Sequence, residues 1–267
     1  MANKIVIYTV ITNNYDRLLE PPIIEGCDYV CFIDEITKKC LESSTATATA
    51  TVAVTAVVVT AVAATATATT ATATTADSNK PTVWKYRLIN FKNKDPHRIS
   101  RHPKINPHLY FPEYTISIYL DANQTLKGLP GHFQSFNDSD SVIALFNHIK
   151  RDCLYEEGKV CIKLLLDNKR LIRNQLSKYR AAQHPSNSGL WQAGFIIRKH
   201  NNPLCIKLMK EWWSEFCKHS RRDQISLPFV LKNNNVIPFD LSENLKYDIF
   251  NHPLISIRKH SKSRQLK

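Results

Sequence analysis

Apolar residues recur along this chain in two rhythms: short alternating or continuous runs, and longer stretches spaced three to four residues apart. The first rhythm predicts strands and the second predicts helices. Lys4 to Ile11 reads as a first strand, followed by the polar loop Thr12 to Asp16. Tyr29 to Ile33 reads as a second strand ending at Asp34-Glu35, and Val83 to Leu88 as a third. Ile116, Ile118 and Leu120 alternate with Ser117 and Tyr119 in a fourth, which breaks at Asp121-Ala122-Asn123. Phe195 to Ile197 is a short fifth. Ser141 to Arg151 predicts a helix with Val142, Leu145, Phe146 and Ile149 on one face. Glu156 to Tyr179 predicts a largely helical stretch, Pro203 to Phe216 a helix, and Gln224 to Lys232 another. Arg98 to His108 is basic, carries Pro103 and Pro107, and reads as a loop. Strands alternating with helices predict an α/β sandwich with a mainly parallel central sheet.

One segment breaks this pattern. Ser43 to Ala76 is almost entirely Thr, Ala and Val and carries no charge. Such bias marks a low-complexity insertion. A membrane span is the sharper alternative, but Thr alternates with Ala through most of the tract and only Val52 to Val62 is apolar. The expected organisation is one domain over 1–42 and 77–255, the insertion over 43–76, and a basic tail over 256–267.

Composition narrows the partners. Lys and Arg outnumber Asp and Glu by 36 to 23, a net charge of +13, which favours an anionic partner such as a nucleoside diphosphate, nucleic acid or an acidic membrane surface. The seven cysteines include no CxxC pair, so reduced thiols in a cytoplasmic setting fit better than a disulfide framework. The apolar run Ile5 to Val10 is too short for a signal-peptide core. No G-x-G-x-x-G and no P-loop pattern occurs, so neither a dinucleotide fold nor a P-loop enzyme is supported. His97, His102 and His108 lie close in sequence but lack the cysteines of a closed zinc site.

The candidate chemistry gathers at strand ends. A carboxylate just past a strand of an α/β sheet sits where such sheets bind ligands, which singles out Asp121; a strand-end cap is the plain alternative. Arg98, Arg101, Lys104 and His108 offer charge-assisted bonds to phosphates, or form a solvated basic loop. His148 and Arg151 lie one helical turn apart in the predicted helix. Asp223-Gln224, after Arg221-Arg222, opens the last helix; it could orient a ligand or act as a base, or Asp223 could simply cap the helix.

Several blocks together carry a resemblance. They are Tyr8-Thr9-Val10-Ile11, Val30-Cys31-Phe32-Ile33-Asp34-Glu35, Trp84-Lys85, Pro107-His108-Leu109-Tyr110-Phe111-Pro112, Ser117-Ile118-Tyr119-Leu120-Asp121, His148 with Arg151, and Arg221-Arg222-Asp223-Gln224. In this order and spacing the chain resembles the hexosyltransferase family of plants and microbes long catalogued as a domain of unknown function. The resemblance implies a GT-A-like, Rossmann-type fold and transfer of a hexose from a nucleotide sugar to a glycan or glycoconjugate acceptor. It implies donor-binding roles for Asp121, Asn123, Arg98, Arg101, Lys104, His148, Arg151 and Arg222, and catalytic roles for Asp223, Gln224 and the region of Gln192. It also implies a divalent cation, Mn²⁺ or Mg²⁺, at Asp121, Asn123 and His252. The chain departs from the family at Asn13 or Asn14, where Gly is frequent, and at Gln192, where an acid is common. A nucleic-acid-binding protein is the competing class, and an inactive sugar-binding relative is a third.

Overall fold

The computed structural model describes residues 4–43 and 82–260. Most of the Thr/Ala tract and the last seven residues lie outside them. The central sheet has seven strands in the order β3-β2-β1-β4-β7-β6-β8. They are β1 (Ile5–Ile11), β2 (Cys27–Ile33), β3 (Lys85–Leu88), β4 (Ile116–Leu120), β6 (Ile143–Asn147), β7 (Trp191–Arg198) and β8 (Phe239–Asp240). A separate ribbon pairs β5 (Gln124–Leu126) with β9 (Ile255–Ile257). The helices are α1 (35–43), α2 (Pro96–Ile105), α3 (Phe133–Asp138), α4 (Leu154–Lys163), α5 (Lys169–Ala181), α6 (Pro203–Lys218) and α7 (Asp223–Asn233). Among the described residues no helix is long and apolar enough to cross a membrane.

The mainly parallel sheet expected from the sequence is present. Only β7 runs against its neighbours, antiparallel to both β4 and β6. Parallel strands are buried on both faces, and the strand sequences show it. In β1, Ile5, Ile7 and Ile11 join one apolar cluster while Val6 and Tyr8 join another on the opposite face.

Ser141 to Arg151 is a correction. The predicted helix is instead strand β6 followed by a turn. Ala144 and Phe146 enter one cluster, and Ile143 and Leu145 the other. A short apolar run buried on both sides satisfies helical spacing as well as strand spacing, so periodicity alone cannot separate them.

Arg98 to His108 is a second correction. Most of it is the helix α2, started by Asp95, whose side chain accepts from His97 N, and by Pro96 at the first helical position. Proline is suited to that position because its missing N–H would be unpaired there. Pro103 falls in the last turn, and the chain leaves the helix at Asn106.

The stretch from Glu156 to Tyr179 is two helices. The break contains Leu165 in a left-handed conformation, with φ at 52°, and Asn168 caps α5 by accepting from Arg170 N and Leu171 N. The basic segment from 256 onward begins inside β9, and its described part is docked rather than free. Arg258 N donates to Asn123 O at 2.8 Å, and His260 pairs with Asp16 at 2.8 Å.

Candidate active site

Because β4 and β6 both oppose β7, they run parallel to each other and to β1 and β2. The C-terminal ends of all four therefore share one edge of the sheet, and β7 begins at that same edge. Asp121 leaves β4 there, Asn147 and His148 leave β6, and Trp191 to Gly194 open β7. The loop after β1 carries Asn13 and Asn14 with φ at 54° and 49°. Both adopt the left-handed conformation that glycine tolerates best and asparagine next. This accounts for Asn where the family often has Gly.

Four charged side chains meet at this edge. Lys104 Nζ lies 2.6 Å from Asp223 Oδ2 and 4.0 Å from Asp121 Oδ1. Arg101 Nε lies 3.1 Å from Asp223 Oδ2. The other Asp223 oxygen accepts from Gln224 N at 3.0 Å. Asp121 Oδ1 accepts from the Tyr119 hydroxyl at 2.7 Å, and the Lys104 ammonium lies 4.9 Å from the Tyr119 ring centre. Helix α2 thus supplies two cations one turn apart, and the strand end and α7 supply the two carboxylates.

The local fold fixes each piece. Arg198, fully buried, donates from Nη1 to the carbonyl of Lys104 at 2.8 Å and so pins the end of α2. Trp212 Nε1 donates to Asp223 O at 3.0 Å and pins the start of α7. A Cβ at Gly194 would stand 2.9 Å from Gln124 Nε2 and 3.1 Å from Asp121 Oδ2, so a side chain there would push the ends of both aside.

The charges are strongly coupled. Burial alone would raise the Asp223 carboxyl, but Lys104 and then Arg101 outweigh it and hold it well below the usual carboxylate range. A carboxylate held this firmly ionised, with both oxygens engaged, is a weak proton acceptor near neutral pH.

A model of the TOD1/MUCI70 glycosyltransferase-like domain matches residues 50–253, most of the chain. The chain belongs to the TOD1/MUCI70 family. The family resemblance read from the sequence holds at this level. No curated protein matches the chain. Among solved structures, the chain is similar to apo mouse xyloside xylosyltransferase 1, at 7% identity and a TM-score of 0.46, over 88% of this chain and 83% of that one. It is also similar to the apo WbbM bifunctional glycosyltransferase, at 10% identity and a TM-score of 0.41, over 90% of this chain and 39% of that one.

In this TOD1/MUCI70-family chain a cleft of about 620 Å³ opens at the end of β6. It is lined by Asn147, His148, Arg151, Asp240 and Asn244, among others. Only β7 separates β4 from β6, so the cleft begins roughly 10 Å from the Asp121 strand end. His148 and Arg151 come together here, though by a turn and not a helix. Arg151 Nη2 donates to His148 Nε2 at 3.1 Å and pairs with Glu157 at 2.6 Å. Burial, with Arg151 beside it, lowers the His148 pKa and keeps the ring neutral.

Other expected site residues lie elsewhere or are engaged. Arg98 donates to Cys217 O at 2.7 Å and ties α2 to the end of α6. Arg222 precedes α7 and adds to the positive field at Asp223. Gln192 is buried, and its Oε1 accepts from Ile249 N at 3.0 Å, anchoring the loop that follows β8. The Asn123 side-chain amide donates to Arg258 O at 2.8 Å. His252 Nδ1 accepts from Leu254 N at 3.2 Å, and its ring packs against Phe146 and Tyr247.

The donor set around Asp121 does not fit a cage for Mg²⁺ or Mn²⁺, which take several oxygen ligands. Asp121 offers one carboxylate, already flanked by an ammonium, and Asn123 adds only a neutral amide oxygen. Among the described residues, no three of His, Cys, Asp and Glu gather into a metal-binding group.

Sequence reasoning missed Tyr119 and Asp240. Tyr119 precedes Asp121 by two residues, and strand periodicity puts both on one face, so the signal was present. Asp240 accepts from Asn147 Nδ2 at 2.9 Å and from Ser242 N at 2.7 Å. That pairing depends on β8 lying beside β6, which no local pattern reveals.

Proposed function

We propose that the protein is a glycosyltransferase that moves a hexose from a nucleotide sugar to a glycan or glycoconjugate acceptor. The observation that carries this reading is the Arg101-Lys104-Asp121-Asp223 constellation at the carboxyl edge of the sheet. Crevices at that edge are where open α/β sheets bind ligands. In such a transfer, the bond from the anomeric carbon to the diphosphate oxygen breaks. The acceptor oxygen forms the new bond, and its proton passes to the released diphosphate or to bulk water.

Arg101 is the cation with reach. Its side chain is 29% exposed, against 3% for Lys104. It suits a diphosphate leaving group, whose growing negative charge a preorganised guanidinium stabilises. Asp121, 35% exposed, accepts hydroxyl groups of the donor. Asp223 holds Arg101 and Lys104 in place; its engaged oxygens and lowered pKa argue against a role as general base. The cleft at Asn147, His148, Asp240 and Asn244 presents amides and a carboxylate to acceptor hydroxyls.

The test is a screen of UDP- and GDP-sugars for nucleotide release, with and without a glycan acceptor, on wild type and Asp121→Asn. Acceptor-dependent release that falls at least tenfold in Asp121→Asn supports the reading. Failure of every donor to bind or turn over would remove it and bring the nucleic-acid class forward.

A further inference from the structure

The donor set at Asp121 has a consequence for how a nucleotide would be held, on the reading that this edge takes one. In a metal-dependent arrangement the strand-end carboxylate holds the cation and the cation holds the diphosphate. Here Asp121 is already served from within the protein: the Tyr119 hydroxyl donates to Oδ1 at 2.7 Å, and the Lys104 ammonium lies 4.0 Å from the same oxygen. A divalent ion on this carboxylate would sit within a few ångströms of that ammonium, and like charges at that range repel in a partly buried site.

The second carboxylate of the cluster is spent, and Asn123 adds only a neutral amide oxygen. The Asn123 amide nitrogen donates to the carbonyl of Arg258, just past β9, at 2.8 Å and tethers that side chain to the ribbon. Asp223 accepts from Lys104, Arg101 and the Gln224 amide. Arg101, Lys104 and Arg222 bring three positive charges to bear on Asp223, and only Asp121 joins it as a second carboxylate in the cluster. The local field is therefore positive without an added ion, and a diphosphate is the kind of anion it would hold.

We propose that the donor diphosphate is held directly by Arg101, backed by the buried Lys104, and that nucleotide binding needs no divalent metal. Asp121 then serves as an acceptor for nucleotide or sugar hydroxyls and not as a metal ligand. Three residues set this apart from a metal-bridged site: a guanidinium exposed toward the ligand, a lysine beneath it, and a carboxylate whose charge is answered by that lysine.

The experiment is calorimetric titration of UDP and GDP into the full chain, in EDTA and in Mn²⁺, for wild type, Arg101→Gln and Asp121→Asn. The inference expects the same dissociation constant within about twofold in EDTA and Mn²⁺. It expects at least tenfold weaker binding in Arg101→Gln and no more than about threefold in Asp121→Asn. Binding that disappears in EDTA and returns with Mn²⁺ overturns the inference while leaving the transferase reading intact, most plainly if Asp121→Asn abolishes the response to Mn²⁺. Should Arg101→Gln fail to fold, the EDTA comparison on wild type decides alone. If neither nucleotide binds under any condition, the transferase reading and this inference fall together.

Discussion

The Lys104 ammonium lies 2.6 Å from the Asp223 carboxylate and joins the last turn of α2 to the first turn of α7 across 119 residues of chain. Both side chains are nearly buried, at 3% and 10% exposure. The pair therefore fastens two helices over the sheet edge while setting the charge of the site.

Breaking this pair from one side leaves a buried charge without its main partner. Lys104→Met should destabilise the fold by about 3–5 kcal/mol. Lys104→Met combined with Asp223→Leu should recover most of that loss, since a buried ion pair replaced by apolar groups is often close to neutral. Urea unfolding of the two variants checks both statements, and a double variant no more stable than the single one would contradict them.

Gly194 tests the geometry of Asp121 without touching its charge. An alanine there would press on Gln124 Nε2 and Asp121 Oδ2 at 2.9 and 3.1 Å. Gly194→Ala should lower nucleotide release at least tenfold and shift the melting temperature by only a few degrees, because the methyl displaces functional side chains and leaves the backbone in place. Parallel activity and melting measurements read this, and unchanged activity would show that the position of Asp121 is not critical.

Gln192 offers a further separation. Its Oε1 accepts from Ile249 N, and both groups are buried. Gln192→Leu should leave that amide unpaired at a cost of about 1–3 kcal/mol, and hydrogen exchange at residues 247–252 should accelerate. Gln192→Glu keeps an acceptor and should exchange more slowly than the leucine variant. Equal protection in all three proteins would count against the anchoring role.

Acid should weaken the fold through two half-buried histidines. Burial pushes His102 and His108 down to about 4, from an unfolded value near 6.5. Between those values the unfolded chain binds more protons than the folded one, so stability rises with pH across that window and is lost as pH falls through it. Asp223 has a lowered pKa, and its contribution stays in full until below about pH 4. The melting temperature should therefore decline on acidification from pH 6.5 to 4, and His102→Gln should flatten the decline. A melting temperature flat across that range would contradict the assignment.

Much of the frame was legible in the sequence, and the failures have physical causes. The strands β1, β2 and β4 announced themselves by length and β-branched content, and α6 by its spacing. Strand β6 was hidden because Ile143 to Phe146 is apolar at every position. Helix α2 was hidden because Pro103 and Pro107 are loop signals in sequence, although Pro96 is a start signal. At the site, Asp121 and Asp223 were each visible as strand-end and helix-start acids. Their convergence on one lysine was not, because it arises from the packing of α2 over β1 and β4. Nor can spacing show that the Asn123 amide nitrogen is tied to the carbonyl of Arg258.

The crossover from β2 to β3 carries its own consequence. Strand β2 ends at the site edge with Ile33, and β3 runs parallel beside its second half, with Lys85 against Val30 and Leu88 against Ile33. The chain rejoins the sheet at β3, an edge strand with β2 and β1 between it and β4, which carries Asp121 at its end. A disturbance that enters the sheet through β3 would therefore have to cross two intervening strands before it reached Asp121.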